Sequence, residues 1–231
     1  MQGTEVRASP AIASAFSGLD PRDLSRIQQQ CLMRGFSRGD YVYRCGDPQR
    51  QLYVIREGSV KLWFPASDGQ DTIVGMVGRG EAFGGTGSFL AHDHHARASE
   101  RTSTFVIHLD HLFAYSRELH DRAVLSIANH RLRVTTLVLH DTLSGDVRAR
   151  VGCRLAALAR RHGSRSGVGI RLQVKVTQAD LARMTGTSRE SVNKVIAWFA
   201  RQGLLATAGG RYVIRDVDAL EAAARGYALP A

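Results

Sequence analysis

Arg189, Glu190, Asn193 and Lys194 recur at spacings of one, four and five, interleaved with Val192, Val195, Ile196 and Phe199. On a helix the polar set shares one open face and the apolar set points inward. The chemistry available to that face is hydrogen bonding, not bond making. Arg189 can donate two parallel bonds to guanine O6 and N7, Glu190 can accept from cytosine N4, and Lys194 can reach a guanine or thymine edge. Ser188 is placed to cap this helix and Gly186 to permit a tight turn before it. Upstream, Leu181, Ala182 and Met184 form the apolar face of a shorter helix opened by Thr177 and Gln178. The arrangement is a helix-turn-helix with a polar recognition face, to be weighed against an ordinary solvated helix. Leu204 to Thr207, a turn at Ala208-Gly209-Gly210, and Arg211 to Ile214 follow as a hairpin, giving a winged helix with Arg211 near the phosphate backbone.

The charge distribution supports a polyanionic partner. Of the formal +10, residues 1–144 contribute +1 (16 basic, 15 acidic) and residues 145–231 contribute +9 (15 basic, 6 acidic). A basic excess confined to one segment suits a duplex whose phosphates release counterions on binding. No apolar run approaches the ~20 residues of a membrane span, and the N-terminal residues lack a secretory pattern. A cytoplasmic protein with no membrane partner is expected. Cys31, Cys45 and Cys153 are far apart and read as ordinary reduced thiols.

The elements that must position these residues predict an α+β chain. Residues 19–33 read as a helix capped by Asp20 with Pro21 in its first turn. From Arg38 to Leu109, short runs such as 51–55, 59–64, 72–74 and 104–107 alternate with glycine turns, as in a β-sandwich or barrel. Residues 110–142 contain neither Gly nor Pro and read as one long helix. Leu125, Leu132 and Leu139 recur every seven positions, with Ala128, Thr135 and Thr142 three after each, an a/d seam suited to a parallel homodimer. A helix packed on its own domain is the alternative. Asp146 caps the next helix, 147–162, which Gly163 ends; residues 163–167 read as a loop. Three segments result: 1–109, 110–144 and 145–231, with the domain boundary at Gly145.

These fragments resemble the family of the cyclic-AMP receptor protein and the fumarate-nitrate reductase regulator (Crp/Fnr). The resemblance rests on Gly39-Asp40, Leu52-Tyr53-Val54-Ile55, Gly58-Ser59-Val60-Lys61, Asp68-Gly69, Gly80-Glu81-Ala82-Phe83-Gly84, the long helix, and Ser188-Arg189-Glu190-Ser191-Val192, in that order. It implies an N-terminal jelly-roll sensor, a dimerisation helix and a C-terminal winged helix-turn-helix. It further implies transcription regulation, palindromic double-stranded DNA with TGTGA-like half-sites, and RNA polymerase as a partner.

The resemblance also implies an effector pocket. Glu81 of the Gly80-Glu81 motif corresponds to the ribose contact of cyclic-AMP-binding members. Thr135 and Thr136 correspond to the pair that meets adenine, which accounts for a polar residue in the seam. The phosphate-binding Arg-Ser-Ala falls on His94-His95-Ala96, so the guanidinium is missing, with Arg97 as a substitute if the loop differs in length. The expected effector is therefore cyclic AMP or another cyclic nucleotide, held in an altered way, with a different effector or none left open. The cysteines do not supply an iron-sulfur cluster, and nine histidines alone do not argue for haem. A metal-dependent hydrolase built on His92-Asp93-His94-His95 is disfavoured, because consecutive loop residues cannot all face one ion. No catalytic residue and no metal site is assigned, and a purely structural scaffold leaves the recognition face unexplained.

Overall fold

The structure is a computed structural model that describes residues 8–66, 71–85, 91–125, 127–128, 132, 136 and 146–226. The chain divides into two compact units, Met1–Phe64 with Met76–Val134, and Thr135–Ala231 with Pro65–Gly75. The boundary expected at Gly145 lies outside the described residues.

The first unit opens with α1 (Pro10–Ala15) and α2 (Pro21–Gln29). Asp20 caps α2 as expected, its Oδ1 accepting from Arg22 and Asp23 amides at 2.8 and 2.9 Å. The helix stops four residues earlier than the sequence predicts. Cys31–Phe36 is strand β1 instead, paired antiparallel with β8 (Thr102–His108) from Cys31 opposite Ile107 to Phe36 opposite Thr102. Its backbone groups find partners in a strand about seventy residues away, which local propensity cannot foresee.

The remaining strands are β2 (Tyr41–Tyr43), β3 (Gln51–Glu57), β4 (Val60–Phe64), β5 (Thr72–Val77), β6 (Ala82–Gly84) and β7 (His95–Ala98). They form two four-stranded sheets ordered β1-β8-β3-β6 and β2-β7-β4-β5, the jelly-roll arrangement. Leu52, Val54, Phe105 and Ile107 enter a core shared with Ile12, Phe16 and Ile27 of the N-terminal segment.

The expected single helix over 110–142 is interrupted. Helix α3 (Leu109–Tyr115) ends before Ser116, whose backbone is extended and whose Oγ accepts from the Leu119 amide at 3.2 Å. Serine competes well for such a cap, so the interruption needs no Gly or Pro. Helix α4 follows, described at residues 117–125, 127–128, 132 and 136. Leu119, Ala123 and Ile127, a stripe at i, i+4 and i+8, bury themselves in the core of the first unit. Leu125 and Leu132 lie away from that stripe and are 60% and 68% exposed. The helix thus packs on its own domain along one face while keeping large leucines outward on another. Ala128 is half-buried, and Thr135, Leu139 and Thr142 lie outside the described residues.

In the second unit, α5 (Val147–His162) has the expected bounds, with Asp146 Oδ1 accepting from the Ala149 amide at 2.9 Å. The stretch expected as a loop after it is strand β9 (Gly163–Ser166), paired with β10 (Gly169–Leu172). Then come α6 (Gln178–Thr185), α7 (Arg189–Arg201), β11 (Leu205–Ala208), β12 (Arg211–Ile214) and α8 (Val217–Ala224), the strands ordered β11-β12-β10-β9.

Helices α5, α7 and α8 meet at Gly152, where an added Cβ would lie 2.3 Å from Ala224 Cβ and 2.8 Å from Phe199 Cζ. Gly152→Ala is expected to destabilise this unit by about 1–3 kcal/mol, the usual cost of overfilling a packed site. Urea unfolding of the variant checks it.

Candidate nucleic-acid interface and effector site

The recognition face is set by three local devices. Thr177 and Asp180 form a reciprocal capping box, Thr177 Oγ1 accepting from the Asp180 amide at 3.1 Å and Asp180 Oδ2 from the Thr177 amide at 3.0 Å. Gly186 ends α6 in the left-handed conformation at φ +60°, a turn that a side chain would strain. Ser188 Oγ accepts from the Ser191 amide at 3.0 Å and starts α7. Leu181, Ala182, Met184, Val192 and Phe199 are buried between the helices, while Val195 and Ile196 are half-buried.

Ser188, Arg189, Glu190, Asn193 and Lys194 are all exposed. Gln178 Nε2 donates to Asn193 Oδ1 at 3.1 Å, tying the start of α6 to the open face of α7. Lys194 and Glu190 form an i,i+4 pair at 2.9 Å, about three-quarters exposed at both ends. Such a pair is worth only a few tenths of a kcal/mol, so a base edge can displace it. Arg189 has no carboxylate partner among the described residues.

Gly209 and Gly210, at φ +56° and +70°, close the hairpin between β11 and β12. Arg211 follows on the wing. It is half-buried, and its Nη1 donates to the Gln173 carbonyl at 2.5 Å, so the guanidinium braces the wing against the segment before α6.

In the sensor unit the expected effector residues separate. Gly80, at φ +77°, leaves no room for a Cβ beside Ser14, which explains it as a packing residue. Glu81 is half-buried in the turn before β6, where its Oε2 accepts from the Gly78 amide at 2.8 Å. His94 is fully buried, with Nε2 bonded to Tyr43 Oη at 2.8 Å and Nδ1 to Asp93 Oδ1 at 2.5 Å. Both its nitrogens are thus engaged by protein groups. Tyr43 in turn stacks on His92 at 3.5 Å and approaches Tyr53 and Phe83 of the facing sheet.

His95 and Arg97 do not join this cluster. Along β7, Ala96 and Ala98 are buried while His95 and Arg97 are half-buried, the alternation of a strand with one inward face. His95 contacts Tyr41 and Trp63 and accepts from the Cys45 amide at 3.1 Å. Arg97 Nε donates to the Gly39 carbonyl at 2.6 Å, beside the Tyr41 ring. The parity of the strand sets Arg97 on the face opposite Ala96 and Ala98. Thr136 is exposed on α4, and Thr135 lies outside the described residues.

The separation of Tyr41 and Tyr43 was not legible in the sequence. Two residues apart on a strand they should share a face, but the register shifts between them and they serve different clusters. Among the described residues no group of three or more His, Cys, Asp or Glu side chains could hold a metal ion. No helix among them is long and apolar enough to cross a membrane.

Comparison with known proteins matches both halves. Residues 33–118 match the cyclic nucleotide-binding domain, and residues 149–223 the Crp-like helix-turn-helix domain. A CRP-like cAMP-activated global transcriptional regulator of Mycobacterium tuberculosis is 31% identical over 219 residues, covering 93% of this chain and 98% of the relative. The chain belongs to the Crp/Fnr family of transcription regulators.

Solved structures agree with this placement. A CRP-family transcriptional regulator from Thermus thermophilus superposes with a TM-score of 0.69 at 28% identity, covering 85% of this chain and 98% of that one. The c-di-GMP responsive global regulator CLP of Xanthomonas campestris gives 0.67 at 26%, covering 85% and 100%. As a Crp/Fnr protein this chain is a DNA-binding transcription regulator, with α6 and α7 inside the matched helix-turn-helix domain. Sequence reading missed Tyr43 as the partner of His94, because the two stand 51 positions apart. The signal available was only that a buried imidazole needs a hydrogen-bond partner.

Proposed function

We propose that this regulator works as a homodimer that reads a palindrome of TGTGA-like half-sites and contacts RNA polymerase. Its jelly-roll accepts a cyclic nucleotide that biases the orientation of the two recognition helices through the long helix. A ligand shifts such an equilibrium only by its differential affinity for the two orientations. The observation that carries the reading is the exposed face of α7, where Arg189 stands without an acidic partner among the described residues. Thr177, Gln178, Ser188, Glu190, Asn193 and Lys194 complete the contact set. Arg211, on the wing, is assigned to the phosphate backbone. Leu125, Leu132 and Leu139, with Ala128 and Thr135, form the seam.

For the effector, Glu81 is assigned to the sugar and Thr135 and Thr136 to the base. The M. tuberculosis relative is named as cAMP-activated and the X. campestris structure as c-di-GMP responsive, so nucleotide effectors of more than one kind occur among the relatives. The engagement of both His94 nitrogens favours a second reading, a site that holds a cyclic phosphate weakly or serves another effector. Calorimetry with a panel of cyclic nucleotides separates the two. A cyclic-nucleotide sensor is expected to give saturable heat that falls at least about tenfold in affinity in Glu81→Ala, the loss of one charge-assisted hydrogen bond. No heat from any member of the panel, with DNA binding retained, would leave the second reading.

A further inference from the structure

On the outer side of the sensor unit, an open groove of about 570 Å³ is lined by Arg34, Phe36, Gly39, Asp40, Tyr41 and Arg44, among others. Two guanidiniums, Arg34 and Arg44, line it, and a third, Arg97, stands beside its Tyr41 wall. The Arg44 guanidinium carbon stands over the Tyr41 ring at 3.5 Å, that of Arg97 is 5.4 Å from the same ring, and that of Arg34 is 5.1 Å from the Phe36 ring. Arg34 and Arg44 are exposed. None of the three has a carboxylate partner among the described residues. The one acid in the lining, Asp40, accepts from the Ser37 amide at 2.7 Å. Residues 1–144 carry 16 basic against 15 acidic side chains, and the lining holds two arginines against one aspartate.

We propose that the groove is a second ligand site, separate from the interior cluster around His94, for a small phosphate ester of nucleotide size. Guanidiniums laid against aromatic rings keep their N–H edges free to meet phosphate oxygens in pairs, and the rings hold them in place. The volume falls within the usual range for small-molecule sites, roughly 300–1,000 Å³. Arg97 braces this wall from behind the lining: its Nε donates to the Gly39 carbonyl, and a Cβ at position 39 would sit 3.3 Å from its Nη2. The absence of a side chain at Gly39 thus leaves room for the guanidinium beside Tyr41. The site does not depend on which effector the interior accepts.

The test is titration of the full-length protein with inorganic pyrophosphate and, separately, with a nucleoside triphosphate, followed by calorimetry and tryptophan fluorescence. Trp63 lies 5.6 Å from the Tyr41 ring and should report occupancy. The expected result is saturable binding that weakens at least about tenfold in the double variant Arg34→Gln, Arg44→Gln and is unchanged in Arg22→Gln, an exposed arginine of α2 outside the lining, since a charge-assisted bond is worth that factor or more. Both substituted arginines are exposed, so the fold should persist, with unchanged unfolding midpoints as the control. Tighter binding of the triphosphate than of pyrophosphate assigns a nucleotide; equal binding assigns the phosphate group alone. The proposal is overturned if neither probe saturates by millimolar concentration or if the double variant binds both as well as wild type. It is equally overturned if the variant's defect is confined to affinity for long duplex DNA, which would make the groove a DNA contact.

Discussion

Leu132→Glu is expected to convert the regulator to a monomer at micromolar concentration and to abolish tight binding to a palindromic site. The side chain is 68% exposed on α4, so the single chain tolerates glutamate there with little change in its own stability. In a two-fold seam the same substitution places two carboxylates near one another at a buried a/d-type position. Each costs several kcal/mol to desolvate without a partner, and they repel one another. At 1.4 kcal/mol per tenfold, the dimer should weaken by about a thousandfold or more. Leu125, 60% exposed and one heptad earlier, should behave the same way. Sedimentation equilibrium on wild type and variant decides it. A monomeric wild type, or a variant that stays dimeric, would remove the seam and the two-fold logic of the DNA site with it.

The parts of this fold legible in the sequence are those specified within a few residues. The bounds of α5 follow from Asp146 and Gly163, and the recognition helix follows from Gly186, Ser188 and the spacing of Val192 and Phe199. The wing follows from Gly209-Gly210. What escaped sequence reading is fixed by distant partners. Cys31–Phe36 has an amphipathic helix just before it, and only the pairing with Thr102–His108 makes it a strand. Gly163–Ser166 has a turn-like composition yet pairs with Gly169–Leu172. Ser116 interrupts a run with no helix breaker because its hydroxyl caps the next turn.

The candidate sites divide in the same way. Arg189, Glu190, Asn193 and Lys194 share a face because one helix carries them all. The effector set was drawn from a loop, a strand and a distant helix, and its members obey the parity of β7 and the bulge in β2 more than their order in the chain. His94 turns inward to Tyr43, while His95 and Arg97 turn outward to Tyr41.

Arg189→Ala is expected to cost about 1–3 kcal/mol per half-site, the worth of one bidentate contact to guanine, and about twice that on a palindrome read by two copies. The loss should fall on sequence discrimination. Because the contact is to a base and not to phosphate, affinity for unrelated duplex DNA and its dependence on salt should change little. The side chain is exposed at the first turn of α7 and makes no ion pair among the described residues, so folding should be unaffected. Arg189→Lys should keep the charge, recover part of the affinity, and still lose discrimination at that base, since an ammonium cannot form the paired bonds. Selection from random duplex DNA with wild type and both variants gives the answer directly. A wild type that returns no palindrome would remove the two-fold reading of the site, and an alanine variant that returns the same base at every position would move the specificity away from Arg189 and onto the neighbouring Glu190, Asn193 and Lys194.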